Sequence, residues 1–165
     1  SRTTSPQTIQ EKAPVSTESA AAEAAADEIV RRTGTTEGYC LDLACGDGEL
    51  AAALARKTRL HICAMDADPE KVVLARRKLD AAGLYGVRVS VHQGQLGQNR
   101  WPSYFANVVV SGRSVSGGAD AMPPTEINRV LRPYGGKSCF AAGETTKGGS
   151  LPKEVKRLRA DNLAF

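Results

Sequence analysis

Hydrophobic and polar positions alternate between two periods along most of the chain, and this alternation predicts strands separated by helices. Short apolar runs predict buried strands, and apolar residues that recur every three to four positions predict helices. The predicted strands are Tyr39–Ala44, Leu60–Met65, Val87–His92, Phe105–Ser111 and Lys137–Ala142. The predicted helices that follow the first strand are Gly48–Lys57, Pro69–Ala82 and Pro124–Leu131. Strands joined through helices imply βαβ units and a parallel sheet.

The order of these elements predicts a doubly wound α/β fold. Right-handed crossovers give the strand order 3-2-1-4-5. A ligand is then expected beyond the carboxyl ends of strands one and four, where the order of the strands reverses.

The first part of the chain differs in composition from the rest. Residues 1–16 are rich in Ser, Thr, Pro and Gln and predict a flexible lead-in or interdomain linker, whereas residues 17–165 predict one domain. Within this domain Thr17 is the predicted cap of a leading helix, Ala20–Arg32, which ends at Gly34.

The turn after the first predicted strand has the features of a nucleotide-binding turn. Gly46 and Gly48 lack a Cβ atom, so a ligand can approach the backbone. The second strand ends at Asp66, where an acid is placed to accept both hydroxyls of a ribose. Asp42 lies inside the first strand, where a carboxylate opposes a pyrophosphate and favours a cationic ligand. The loose glycine pattern from Gly46 to Ala51 alone still allows a dinucleotide.

Residues 41–48, Leu-Asp-Leu-Ala-Cys-Gly-Asp-Gly, closely resemble the first motif of class I S-adenosylmethionine-dependent methyltransferases, which have a Rossmann-like fold. The resemblance extends through Phe140 and includes residues 127–136, which look like the turn between a helix and the fifth strand. It implies a methyltransferase with S-adenosylmethionine as cofactor and S-adenosylhomocysteine as product. The residues that it implies for cofactor binding are Asp42, Ala44, Gly46, Gly48, Asp66, Ala67, Gln95 and Leu96.

The resemblance also implies which part of the cofactor each residue holds. Asp42 engages the methionyl ammonium, directly or through water, and the glycines lie along the cofactor. Asp66 binds the ribose, and Gln95 and Leu96 lie where the adenine is held. Gln95 replaces the aspartate that commonly grips the adenine amino group, and an amide oxygen accepts that hydrogen bond without charge assistance. We therefore expect a weaker cofactor affinity.

Two departures from the family pattern bear on activity. After the fifth predicted strand only residues 150–165 remain, where the family adds a helix and two strands, so a C-terminally truncated domain is expected. Residues 81–119 contain no carboxylate, although this stretch usually holds two functional acids. Asn107 stands at one of those positions, and the sequence from Ser111 is Ser-Gly-Arg-Ser rather than Asn-Pro-Pro-Tyr. Methylation of base amino groups in nucleic acids is thereby disfavoured.

The sequence identifies no catalytic base, so the catalytic residues are unknown. His92 ends the third predicted strand, and a structural role is favoured for it over a catalytic one. Asp68 precedes Pro69 and Glu70, which is typical of a helix cap. Cys45 lies in the turn, where its match to the family motif favours packing over nucleophilic chemistry.

Composition and cysteine usage exclude several other classes of protein. The 165 residues are 41% hydrophobic and 24% charged, which fits one domain with a single core. The sequence contains neither a membrane-length apolar stretch nor a secretory signal. Four cysteines without a Cys-x-x-Cys pair, and two histidines, predict no metal site. The implied cofactor favours the cytoplasm, but an exported location stays open because the chain begins at Ser1 rather than methionine.

Positive charge is concentrated in the second half of the chain. The net charge is +4, and residues 81–165 hold 11 basic and 5 acidic side chains. Lys153, Lys156, Arg157 and Arg159 could contact RNA phosphates. A solvated helix face is the favoured interpretation, because only 5% of residues are aromatic and no aromatic platform accompanies these cations. The expected acceptor is therefore a small molecule, with nucleic acid less favoured.

Two other functions stay open at this point. The first is a noncatalytic methyltransferase-like module of a larger protein. The sequence, particularly around residues 83–86, Gly-Leu-Tyr-Gly, resembles methyltransferase-like domains that precede β-propellers in some bacterial proteins. The second and less favoured function is an NAD-dependent oxidoreductase, which Asp42 opposes and which a cofactor competition would separate.

Overall fold

The computed structural model describes residues 19–95, 98, 101–116 and 124–140. Within these ranges, five parallel strands form one sheet in the order β3-β2-β1-β4-β5. The strands are β1 Glu37–Asp42, β2 Arg59–Asp66, β3 Val89–Gln93, β4 Val108–Val110 and β5 Lys137–Cys139. The helices are α1 Ala20–Thr33, α2 Glu49–Lys57, α3 Pro69–Ala81, α4 Gly112–Val115 and α5 Pro124–Val130. The predicted α/β, Rossmann-like parallel sheet and its strand order are confirmed.

The sheet has a hydrophobic core on each of its two faces, because successive strand residues point to opposite sides. Cys40 belongs to the larger core, which contains the buried apolar residues of α1, α2 and α3. Leu41 belongs to the second core, together with Val109 of β4 and Val130 of α5. Packing from both sides fixes the central strands, and with them the positions of their carboxyl ends.

The helix starts follow capping chemistry. Ser19 is the N-cap of α1, and its side chain accepts a hydrogen bond from Ala22 N at 3.4 Å. The prediction that Thr17 caps this helix was wrong, because the helix begins at Ala20, directly after Ser19. The predicted end of the helix at Gly34 is confirmed.

Two elements differ from the sequence prediction around β4. The strand is shorter than the predicted Phe105–Ser111, because Ala106 forms only an isolated bridge with Leu131. The short helix α4 then follows β4 directly, where no helix was predicted. The predicted lead-in, the predicted C-terminal truncation and the basic cluster at 153–159 fall on residues outside the described ranges.

Candidate cofactor site

The carboxyl ends of the strands form a row in which β1, β2 and β3 are joined by backbone hydrogen bonds beyond the strands themselves. Cys45 N donates to Met65 O at 2.9 Å, and Gly94 N donates to Asp66 O at 3.0 Å. Gln95 follows Gly94 and is exposed, so the structure brings it next to the end of β2. Neighbouring strands are about 4.8 Å apart, and the row from β4 to β3 is therefore about 14 Å long. An elongated ligand of nucleoside size fits a row of that length.

Asp66, at the end of β2, is in direct contact with the glycine turn. The residue is 2% exposed, and its Oδ2 accepts a hydrogen bond from Gly46 N at 2.9 Å. Its Oδ1 accepts from Asp68 N at 3.0 Å, across the exposed Ala67. A carboxylate has about four acceptor positions. Two of them remain after these bonds, which is the number that a pair of ribose hydroxyls requires.

The missing Cβ atom has a different structural consequence at each of the two glycines of the turn. Gly46 has a φ of +57°, and a Cβ placed on it would meet no heavy atom within 4 Å. A Cβ on Gly48 would lie 3.2 Å from Ala75 Cβ and 3.3 Å from Leu79 Cδ1 of α3. The space in front of Gly46 is therefore open to a ligand, whereas Gly48 allows α2 to pack closely on α3. A contact of Gly48 with the cofactor stays a prediction.

Asp42 joins the turn to the segment that follows β4. It is fully buried, and its Oδ1 accepts a hydrogen bond from Gly112 N at 2.8 Å. In the same segment Arg113 N donates to the carbonyl oxygen of buried Ala44 at 2.8 Å. Asp42 thus holds the start of α4 against the turn, and its contact with a methionyl ammonium stays a prediction. Sequence reasoning missed Gly112, because a partner 70 positions away leaves no signal in local spacing.

A small cleft lies between α1, the turn and α4. Its volume is about 130 Å³, well below the roughly 300–1,000 Å³ of pockets that enclose a whole ligand. Neither Asp42 nor Asp66 belongs to its walls as the described residues define them. The cleft can therefore receive only one end of a cofactor, and the rest must lie along the strand ends. The walls include Ser19, Ala22, Gly46, Asp47, Glu49 and Gly112.

Two acids of the cleft wall are paired with a lysine of α3. The side chain of Lys78 is 11% exposed, and its Nζ bonds to Asp47 Oδ2 and, at 3.1 Å, to Glu49 Oε1. Burial lowers the pKa of Lys78, but the hydrogen bonds to the two carboxylates outweigh this effect, and the pKa is raised overall. Lys78 therefore stays charged. Sequence reasoning explained Glu49 by the helix dipole and missed Lys78, which lies 29 residues away.

The cysteines of the described region are all free thiols. Burial, together with the charges of Asp42 and Asp66, raises the pKa of Cys45 far above its ordinary value. The Cys45 thiol is thus protonated at neutral pH, in keeping with the packing role expected for it. Across the described part of the chain, no three His, Cys, Asp or Glu side chains lie close enough to share a metal ion.

Three further residues singled out by the sequence have hydrogen-bond partners in the structure. Asp68 caps α3, as predicted, and accepts a hydrogen bond from Glu70 N at 2.9 Å. His92 is exposed, with Nε2 3.2 Å from Ser90 Oγ, and lies outside the cleft walls. Asn107 Oδ1 accepts from the backbone of β1, at Tyr39 N. Leu96 lies outside the described residues, so its predicted contact with the adenine stays a prediction.

Comparisons with known proteins identify the family of this chain. A family model described as a methyltransferase domain matches residues 40–135, which is more than half of the chain. Its match begins in β1 and includes the glycine turn, Asp66 and the whole row of strand ends up to β4. No protein with a curated description is significantly similar in sequence.

Several solved structures share the fold. A protein proposed to be an S-adenosyl-L-methionine-dependent methyltransferase, from Methanococcus maripaludis, is 23% identical with a TM-score of 0.67, and the match covers 87% of this chain and 76% of that one. A SAM-dependent methyltransferase from Aquifex aeolicus is 19% identical with a TM-score of 0.56, over 83% of this chain and 78% of that one. The cyclase SpnF is 22% identical with a TM-score of 0.56, over 68% of this chain and 42% of that one. Identities this low support the fold alone.

None of the described helices is both long enough and apolar enough to cross a membrane.

Proposed function

Because the chain belongs to the family of class I S-adenosylmethionine-dependent methyltransferases, we propose that it binds this cofactor at the row of strand ends and methylates a small-molecule acceptor. The observation that carries the proposal is the contact between Asp66 and Gly46. A buried carboxylate with two acceptor positions left lies directly beside a backbone whose Cβ direction is open. That pairing suits a ribose and the chain of atoms attached to it.

The donors and acceptors along the row fit the parts of S-adenosylmethionine in order. Gln95 supplies an amide beside the end of β2 for the adenine, and Asp66 supplies acceptors for the ribose. Gly46 leaves room for the chain that leads to the methionyl group. Near that end Ser111 Oγ is buried and has no hydrogen-bond partner among the described residues. Asp42 supports this end by holding α4 in place.

When bound, the cofactor supplies an activated methyl group on a positively charged sulfur. The contribution of the chain is to orient the reactants and to exclude water from them. The titratable side chains in the described cleft walls are Cys45, Asp47 and Glu49. The first is a protonated thiol, and the other two are paired with Lys78. An acceptor that reacts without a strong base from the protein suits such a site.

The described cleft walls offer no unpaired base, and this observation also favours a second candidate. That candidate is a noncatalytic module that binds the cofactor without methyl transfer. An NAD-dependent oxidoreductase is disfavoured, since the pyrophosphate of NAD would approach the carboxylates of Asp47 and Glu49 at the turn.

A labelled-methyl assay separates these candidates. The purified chain is incubated with S-adenosylmethionine carrying a radioactive methyl group and a cell extract from which endogenous enzymes have been removed. Label in the small molecules that pass an ultrafiltration membrane supports the proposal, and label on RNA or protein contradicts the small-molecule acceptor.

The control for this assay is Gly46→Val, which fills the open space in front of the turn. Transfer that persists in this variant would contradict the proposed path of the cofactor past Gly46. Cofactor binding without transfer to any fraction supports the noncatalytic module instead.

A further inference from the structure

The acids around the cofactor turn are only partly neutralised. Asp47 and Glu49 lie in the cleft wall, and their side chains are 36% and 29% exposed. Lys78 Nζ contacts both of them from the other side of the turn. Two negative charges and one positive charge therefore leave a net charge of −1 on this wall.

The position of Lys78 is fixed by its helix and by burial. The residue lies in the last turn of α3, beside fully buried Leu79, and only 11% of its side chain is exposed. Its ammonium group lies behind the cleft wall and donates hydrogen bonds to two of the wall residues, Asp47 and Glu49. A charge held in this way acts on whatever enters the cleft, and solvent screens it less than a charge on a free surface side chain.

The two forms of the cofactor differ by one unit of charge. S-adenosylmethionine carries a sulfonium, an ammonium and a carboxylate, and its net charge at neutral pH is positive. S-adenosylhomocysteine has lost the sulfonium charge together with the methyl group, and it is neutral overall. A fixed charge near the cleft must therefore change the affinity for the first ligand more than the affinity for the second.

We propose that Lys78 sets the preference of the site between S-adenosylmethionine and S-adenosylhomocysteine by offsetting the charges of Asp47 and Glu49. The proposal rests on cofactor binding at the row of strand ends. Lys78 weakens the advantage that the acids give to the positively charged cofactor. Its second effect, holding the turn in shape, acts on both ligands equally and leaves their ratio unchanged.

The charge argument predicts opposite shifts for two substitutions. Lys78→Met removes a positive charge and should lower the ratio of Kd for S-adenosylmethionine to Kd for S-adenosylhomocysteine. Asp47→Asn removes a negative charge and should raise the same ratio. Full water screening of unit charges about 8 Å apart gives a shift of about two- to threefold, so each shift should be at least about this size, and both should shrink in concentrated salt.

The test is calorimetric titration of the whole chain with each ligand. The variants are Lys78→Met, Lys78→Arg and Asp47→Asn, and the control is Arg132→Met. Arg132 is exposed, precedes β5 at the amino end of the sheet and carries the same charge. The expected result is an opposite shift for the first and third variants, and a ratio close to that of the wild type for Lys78→Arg and Arg132→Met.

Three outcomes overturn the proposal. If Lys78→Met and Asp47→Asn weaken both ligands by the same factor, Lys78 only supports the turn. If the wild-type chain binds neither ligand, the proposed function fails together with this inference. If Lys78→Met does not fold, Lys78→Gln replaces it as a polar variant without the charge, and an unchanged ratio in both Lys78→Gln and Asp47→Asn overturns the proposal.

Discussion

The carboxylate of Asp66 has a structural role that can be measured without any ligand. Both of its oxygens accept backbone hydrogen bonds, at 2.9 Å from Gly46 N and at 3.0 Å from Asp68 N. Asp66→Asn preserves the size of the side chain, but its amide nitrogen must face one of these N–H groups. One bond to a charged acceptor is lost and one partly buried donor is left unpaired, which should cost about 2 kcal/mol of unfolding free energy. Asp66→Ala loses both bonds and should cost about 2–4 kcal/mol.

Urea denaturation followed by circular dichroism measures these costs, provided that the transition is two-state. The matched control is Asp68→Ala, which removes the cap of α3 and should cost about 1 kcal/mol. Asp68→Ala should keep its affinity for S-adenosylhomocysteine within about threefold, whereas Asp66→Ala should lose at least about tenfold, or 1.4 kcal/mol. Wild-type stability in Asp66→Asn would refute the claim that this carboxylate holds the turn. Equal losses of affinity in Asp66→Ala and Asp68→Ala would refute its specific role in binding.

Three further predictions concern the turn and the packing of α1 on α2. Gly46→Val should abolish measurable S-adenosylhomocysteine binding by calorimetry, because the side chain fills open space at a positive φ; retained affinity would contradict the proposed path of the cofactor. Gly48→Ala should lower stability in urea by about 1–3 kcal/mol, because its Cβ would crowd α3; an unchanged midpoint would contradict the packing role. Hydrogen bonds from Arg56 and Lys57 lower the pKa of Glu23 in the folded state. Glu23 therefore stabilises the fold at pH values above its unfolded-state pKa, and this contribution is lost as the pH falls through its folded-state pKa. Glu23→Gln should thus cost about 0.5 kcal/mol in urea at neutral pH and nothing in strong acid, and an equal cost at both would disprove the ion pair.

The architecture could be predicted because it depends on local patterns. The apolar runs around Cys40, Ile62 and Val109 are buried on both faces, and their order along the chain decides the order of the sheet. The length of β4 could not be predicted, because Phe105 and Ala106 are apolar like the strand itself, and only the isolated bridge of Ala106 with Leu131 separates them from it. The cap of α1 was misplaced because Thr17 and Ser19 offer the same hydroxyl chemistry.

The candidate site was predictable where a strand end and a glycine turn mark it. Gly46 lies in the turn and Asp66 at the end of the next strand, and the structure brings them into contact. Gly112 and Lys78 reach the turn from elements far away in the sequence, so neither spacing nor composition points to them. The contact by which Asp42 holds α4 likewise joins residues far apart in the sequence, so it could not be predicted either. The predicted positions of Leu96 and of the basic cluster at 153–159 lie outside the described residues and stay predictions.

Calorimetric titration of the purified chain with S-adenosylhomocysteine tests the central claim most directly, since this ligand binds without reacting. We predict saturable heat with one-to-one stoichiometry that a prior addition of NAD leaves unchanged. The absence of both heat and a thermal shift at millimolar ligand would contradict a cofactor site at the row of strand ends.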